Sequence, residues 1–145
     1  MSKAPSYDAC NCFALRQASR YVTQIYERHL APSGLSAAQF AILARLSRKP
    51  GSTMLALAEA MVMDRTTLVR ALKPLQRDGL AAAEPSDEDA RALVYTLTAK
   101  GARVFEKACV AWRAAQTEFE QHFGRERAKA LRGELFDITQ AVAHR

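Results

Sequence analysis

Apolar positions recur at helical spacing over most of the chain, and only one stretch changes to strict alternation. In the first segment, residues 9–30, small and apolar side chains recur every three or four positions, which places them on one helix face. These positions are Cys12, Leu15, Ser19, Val22, Tyr26 and Leu30. Pro32 and Gly34 then interrupt the pattern, so we predict that the first helix ends at residue 30.

Capping signals mark the starts of the following helices. Ser36 and Gln39 have capping-box spacing, which predicts a helix that ends at "SRKPGS". Residues 53–61 predict a helix of about two turns. Farther on, Thr98 is a suitable N-cap residue before a long helical periodicity, and we predict a helix from there to about Gln121.

A basic, amphipathic helix is predicted between Asp64, which is suited to the N-cap, and Gly79, which is suited to the C-terminal end. It follows the two-turn helix after a very short connection, and this indicates a helix-turn-helix. At about 100° per residue, three leucines gather on one side: Leu68, Leu72 and Leu75. The opposite side carries Thr66, Arg70, Lys73 and Arg77. We therefore expect one face in the core and the other turned toward a charged partner.

The alternating stretch follows Gly79. The segments "LAAAE" and "ALVYTLT" predict two short strands, joined by a tip with the sequence "PSDEDAR". Arg91 lies where the tip returns, and we expect Asp89 on the same side of an extended strand, where its carboxylate orients the guanidinium group. Together the segments predict a mainly α chain with a small β-wing, in the order helix, turn, helix, wing.

The terminal segments carry apolar stripes that a small winged helix cannot cover. In the long helix the stripe consists of Val104, Phe105, Ala108, Trp112, Ala115 and Phe119. A final helix has heptad spacing at Ala128, Leu131, Leu135, Ile138 and Val142. We predict a single domain over 1–145, in which 9–30 and 102–143 are dimerisation helices of a homodimer and 36–98 form the winged helix-turn-helix lobe.

Composition narrows the class of protein. The 145 residues are 49% hydrophobic, which fits one globular domain, and 21 Lys and Arg against 15 Asp and Glu give a formal charge of +6. No stretch has the features of a signal peptide or approaches the roughly 18 apolar residues of a membrane span, so we expect a cytoplasmic protein without a membrane partner. The three cysteines lack CxxC spacing, and we expect no disulfide framework, no metal and no cofactor.

The concentration of positive charge on the helix after Asp64 suggests double-stranded DNA as the partner. Short hydroxyl side chains suit base edges at the start of a recognition helix, and arginine and lysine suit bases and phosphates farther along. The candidate DNA-binding residues are Arg65, Thr66, Thr67, Arg70, Lys73, Arg77, Asp89 and Arg91. A narrow minor groove would accept the wing arginine. A two-fold dimer would place two recognition helices in successive major grooves of a pseudo-palindromic operator.

Other interpretations stay open. The basic face and the wing tip are also typical of solvated surface, as in a helical interaction module without DNA affinity. A thiol peroxidase built on Cys12 is the nearest enzymatic alternative, although on a helix Cys10 would point about 200° away and could not act as the resolving partner. The three histidines are scattered and no glycine-rich phosphate loop is present, so we predict no catalytic residue and no enzymatic activity.

Three segments, "GLSAAQFAIL", "LAEAMVMDRTTLVRALKPLQRDGL" and "SDEDARALVYTLTAKG", resemble the MarR family of winged helix-turn-helix transcription regulators. The resemblance covers residues 9–143, and its most specific part is the DxR wing tip followed by a strand and "LTAKG". It implies a triangular homodimer that represses nearby genes. It also implies that repression is relieved by a small phenolic or other lipophilic ligand, or by an oxidant, that alters the spacing of the two DNA-binding lobes.

A narrower resemblance concerns "CFALRQASRYVTQIY", which is similar to the first helix of the organic hydroperoxide resistance regulators. It implies that Cys12 is a peroxide-reactive thiol and that Tyr26 is one of the tyrosines that bind it, whereas Arg16 and Ala37 replace the other tyrosines. Because Tyr26 is about 21 Å along the same helix, only the partner's Tyr26 could reach the thiol. The alternative is that Cys12 is buried as a small apolar side chain.

Overall fold

The computed structural model describes residues 3–143, and of residues 141–143 the backbone alone. Six helices and three strands follow one another along the chain. They are α1 (Asn11–Leu30), α2 (Ala37–Arg48), β1 (Ser52–Thr53), α3 (Met54–Met61), α4 (Arg65–Arg77), β2 (Ala81–Pro85), β3 (Leu93–Leu97), α5 (Ala99–Phe123) and α6 (Arg125–Ala143). Short 3-10 turns precede α1 and follow it, at Tyr7–Ala9 and Ala31–Ser33. None of the helices in the described range has the length and apolarity that crossing a membrane requires.

The predicted capping signals are confirmed. Both hydrogen bonds of the Ser36 and Gln39 capping box are present, at 3.0 and 3.1 Å. The hydroxyl of Thr98 accepts a hydrogen bond from the first turn of α5, and Gly79 adopts a left-handed φ of +73° just beyond α4. These local contacts explain why the helix boundaries could be predicted from the sequence.

The start of α1 differs from the prediction. Cys10 lies outside the helix, at φ −89° and ψ 114°, and its Sγ atom accepts a hydrogen bond from the Phe13 N–H at 3.4 Å. It is therefore the N-cap residue and not a residue of the first turn. The expected 200° divergence between Cys10 and Cys12 was wrong, because that angle applies only to two residues of one helix.

The sheet has three antiparallel strands in the order β1-β3-β2, one more than the sequence predicted. Ala83 of β2 pairs with Tyr95 of β3, and Ser52 of β1 pairs with Tyr95 from the other side. Strand β1 has only two residues, too few to show alternation. It forms by pairing with the edge of β3 that β2 leaves open. The wing consists of β2, β3 and their connection.

The core lies beneath α4, between α2, α3 and the sheet. All three leucines predicted on the inner face of α4 are buried. Leu43, Leu46 and Leu57 are buried in the same cluster, which also contains Tyr95 of β3. Burial of this kind contributes about 1.5 to 3 kcal/mol per large side chain, so α4 is anchored by one face.

The terminal helices leave much of their apolar stripe uncovered in the single chain. Four large apolar side chains of α6, Leu131, Leu135, Phe136 and Ile138, are exposed, as is Leu15 of α1. Ala128 is buried, and Val142 lies outside the described side chains. An exposed stripe of this length is typical of a helix whose neighbour is another molecule.

Candidate nucleic-acid interface

The outer face of α4 is basic and open to solvent. Six of the predicted DNA-binding residues are exposed on it: Arg65, Thr66, Thr67, Arg70, Lys73 and Arg77. The leucines on the opposite face of the helix are buried. The structure thus brings six of the eight predicted DNA-binding residues onto one helix that is fixed from behind.

The first turn of α4 is organised by Asp64. Its carboxylate accepts a hydrogen bond from the Thr67 N–H at 2.7 Å. This contact, and then a hydrogen bond from the Thr67 side chain, lowers the pKa of Asp64. Thr67 therefore helps to start the helix, in addition to the base contact predicted for it, and Asp64 stays ionised at neutral pH.

The cations of α4 are not equivalent. The Arg77 Nε atom lies 3.2 Å from the Asp78 carboxylate, so its charge is partly offset. Within residues 3–143, Arg70 and Lys73 make no ion pair with a protein carboxylate. Their charges are available to an external anion such as a phosphate.

The wing tip is a turn that holds Asp89 and Arg91 together. The Arg91 N–H donates to the Asp89 carboxylate at 3.0 Å, and the Arg91 Nε atom lies 3.9 Å from the same oxygen. The guanidinium side chain is 97% exposed. Both residues lie between the strands and not on an extended strand, so that part of the prediction was wrong. The reason is that the Ala92 N–H bonds the Asp89 carbonyl oxygen at 3.0 Å and closes the turn.

The two residues of the redox hypothesis lie far apart on α1. Cys12 is exposed in the first turn, so it is not packed as a buried apolar side chain in the single chain. Tyr26 is half-buried near the other end, and burial raises the pKa of its hydroxyl. The structure does not bring the two together within one chain. No three histidine, cysteine or acidic side chains in the described residues are grouped as a metal site requires.

An apolar cleft separates α1, α2 and α5, with a volume of about 720 Å³. Its aromatic walls are Tyr26, Phe40, Phe105 and Trp112, and the rings of Phe40 and Trp112 stack with centroids 6.3 Å apart. Cys109 also lines it, and burial raises the pKa of this thiol. No sequence motif marks this cleft, because its walls come from three separate helices.

A second cleft, of about 550 Å³, lies between α1, α5 and α6. Leu15, Phe119, Leu131 and Leu135 line it. Because three of these are the exposed residues of the terminal helices, this cleft belongs to their uncovered apolar stripe.

Known proteins are similar to this chain in both sequence and fold. A model of the MarR family matches residues 33–92. The organic hydroperoxide resistance transcriptional regulator of Bacillus subtilis is 32% identical over 97 residues, which are 67% of this chain and 66% of that protein. The structure of the M. tuberculosis transcriptional regulator MosR in complex with DNA is 38% identical, with a TM-score of 0.81, and the match covers 93% of this chain and 97% of MosR. This chain belongs to the MarR family.

A second DNA complex agrees with that assignment. The transcriptional repressor CouR bound to a 23-mer DNA duplex is 26% identical, with a TM-score of 0.84, over 95% of this chain and 98% of CouR. The chain is thus a DNA-binding transcription regulator of the MarR family with a winged helix-turn-helix fold. The roles predicted for individual residues on DNA remain predictions.

Proposed function

We propose that the chain is a homodimeric repressor that binds a pseudo-palindromic operator and is released from it by a small lipophilic or phenolic ligand. The observation that carries this proposal is the presence, in one chain, of an uncovered basic face on α4 and an uncovered apolar face on α6. The first face suits the phosphates and base edges of a duplex. The second suits another copy of the same helices.

Dimerisation is supported by the apolar side chains that the single chain leaves in solvent. Leu131 and Leu135 of α6 line the second cleft together with Leu15 of α1. Covering apolar surface contributes about 25 cal/mol per Å². A dimer that reads successive major grooves must hold its two α4 helices about 34 Å apart, which is one turn of duplex.

Sedimentation and DNA binding together test the dimer. Leu135→Glu is expected to produce a monomer whose affinity for a two-half-site fragment falls to that for a single half-site. Val110, exposed on α5 and absent from both clefts, supplies the matched control Val110→Glu, which should stay dimeric. A wild-type chain that sediments as a monomer while it binds the full operator would contradict the proposal.

Ligand-controlled release is supported by the larger cleft. Stacked aromatic walls favour a flat apolar molecule, and the exposed Arg48 at the same cleft offers a positive charge to a phenolate or carboxylate. A molecule that enters between α2 and α5 would separate a helix of the DNA-binding lobe from a helix of the terminal pair. The distance between the two recognition helices would then change.

Trp112 makes this testable, because it is the single tryptophan of the chain. Titration with phenol, 2-naphthol and benzoate should change the Trp112 fluorescence at the concentrations that release an operator fragment. Release of the operator fragment without a change in Trp112 fluorescence would mean that the effector binds outside this cleft. A fluorescence change without release would contradict the proposed control of DNA binding.

A second candidate function is peroxide sensing by Cys12, favoured by the exposure of this thiol at the start of α1. The thiolate would attack the peroxide O–O bond and become a sulfenic acid, with release of the corresponding alcohol. Cumene hydroperoxide should then release wild-type protein from DNA, but not the Cys12→Ser variant. Cys109→Ser, which changes a half-buried thiol, is the control. Equal release of both variants would contradict a role for Cys12.

A further inference from the structure

The end of the recognition helix is attached to the start of α5 by its backbone. Three successive carbonyl oxygens follow α4, and each accepts a hydrogen bond from the α5 N-terminus. Lys100 Nζ donates to Asp78 at 2.9 Å, the Thr98 hydroxyl donates to Gly79 at 2.5 Å, and the Thr98 N–H donates to Leu80 at 3.1 Å. In the last turn of α4 the carbonyl groups of Pro74, Leu75 and Gln76 already accept hydrogen bonds from the N–H groups of residues 78–80. The contacts from α5 therefore satisfy the carbonyl groups of the three residues that follow the helix.

The Thr98 hydroxyl makes one hydrogen bond at the end of α4 and another at the start of α5. It donates to the Gly79 carbonyl and accepts from the Gly101 N–H at 2.9 Å. One oxygen atom therefore joins the C-terminal end of α4 to the N-terminal end of α5. Hydrogen bonds weaken steeply when they bend, so this pair fixes direction as well as distance.

The support behind the body of α4 is less directional. Leu68, Leu72 and Leu75 hold the helix by apolar packing, and apolar attraction depends on area and not on angle. Packing thus keeps α4 on the lobe, whereas the contacts with Thr98 fix where its C-terminal end lies. Arg70 and Lys73 lie in the last two turns before that end.

We infer that Thr98 is a positioning residue for operator recognition: through the Gly79 carbonyl it sets the placement of α4, and with it the base contacts, without touching DNA. Base readout needs the side chains of α4 at defined positions in the groove. Binding to a random duplex depends mainly on phosphate charge and tolerates displacement. The ratio of operator affinity to random-duplex affinity is therefore the property that Thr98 controls.

Three substitutions separate this role from simple capping of α5. Thr98→Ser keeps both hydrogen bonds, and Thr98→Val, of nearly the same shape, loses both. Thr98→Asp keeps an acceptor for the Gly101 N–H, since aspartate is a good N-cap residue, but has no donor for Gly79. If Thr98→Val unfolds at the assay temperature, Thr98→Asp still decides the question.

The experiment measures dissociation constants for an operator fragment enriched from the genome and for a random duplex of equal length, at a temperature where circular dichroism shows each variant folded. We expect the affinity ratio to fall about tenfold in Thr98→Val and Thr98→Asp, and to stay within about twofold of wild type in Thr98→Ser. An unchanged ratio in folded Thr98→Asp would overturn the inference. So would a loss in Thr98→Ser as large as that in Thr98→Val.

Discussion

Gly101, in the first turn of α5, lies directly against the carbonyl oxygen of Leu80, and a β-carbon on Gly101 would overlap that oxygen. The neighbouring atoms are backbone, so they cannot rotate away as a side chain would. Gly101→Ala is therefore expected to reduce the free energy of unfolding by about 1 to 3 kcal/mol, measured by urea denaturation.

Gly133, in the middle of α6, is the control for this prediction. Among the described residues, nothing beyond the neighbouring backbone of α6 lies within 4 Å of a β-carbon at that position. Alanine is favoured over glycine inside a helix by about 1 kcal/mol. Gly133→Ala should leave stability unchanged or raise it. Equal effects of the two substitutions would mean that the contact between Gly101 and Leu80 is not tight in solution.

The sequence contained the segment "LTAKG", and Thr98 was identified in it as a helix cap. Its other contacts could not be predicted, because the atoms that Thr98, Lys100 and Gly101 meet are backbone atoms of residues 78–80. Every residue has the same backbone carbonyl group, so the sequence does not show which carbonyl will accept a hydrogen bond from a distant side chain. Helices were predictable because capping side chains act within three or four residues.

Asp89→Ala should weaken DNA binding, although it removes a negative charge next to a polyanion. The Asp89 carboxylate holds the turn by accepting from the Arg91 N–H. Without it the arginine loses its defined direction, at a cost of about 0.5 to 1.5 kcal/mol in operator affinity. Fluorescence anisotropy with a labelled operator fragment measures the change.

Asp87→Ala removes a charge from the same tip and serves as the comparison. Simple electrostatics predicts equal or tighter binding for this variant. If Asp89→Ala also binds more tightly than wild type, the wing acids act on DNA only through their charge.

Substitution of Arg70 and substitution of Lys73 should remove different kinds of contact with DNA. Arg70→Ala is expected to relax the base preference at one position of each half-site and to weaken operator binding by about 1 to 3 kcal/mol. Lys73→Ala should weaken operator and random duplex alike and lower the salt slope by about 1. Competition assays across a set of single-base operator variants distinguish the two. Equal losses on operator and random DNA for both variants would contradict these assignments.

An acid-sensitive contact joins α1 to α5. The Arg28 guanidinium binds both Glu118 oxygens, at 2.8 and 2.6 Å, and His29 Nε2 lies 3.1 Å from the carboxylate. Hydrogen bonding from Arg28 first, and from His29 second, lowers the pKa of Glu118 from 4.5 to about 2. A lowered carboxyl pKa gives stability that is fully present above about pH 4.5 and is lost as the pH falls toward 2.

Thermal unfolding from pH 7 to pH 3 tests this contact. Wild type should be more stable than Glu118→Gln at pH 7, and the difference in Tm should shrink as the pH drops below about 4.5. A constant difference across the whole range would show that Glu118 acts without its charge.

The candidate site was only partly readable from the sequence. The basic face of α4 follows from helical periodicity, and the structure places its members as expected. The N-cap position of Cys10 was missed because a thiol is a weak and unusual cap. The large cleft was missed because Phe40 and Trp112, more than 70 positions apart, meet only when the chain folds.

We propose that two copies of α4 and the wing read one duplex together. Fragments of the protein's own genome, selected by binding to the purified chain and sequenced, test it most directly. We expect them to share an inverted repeat whose half-sites are centred about 10 base pairs apart, with A/T-rich positions beneath the wings. A diffuse collection of fragments without an inverted repeat would contradict the claim.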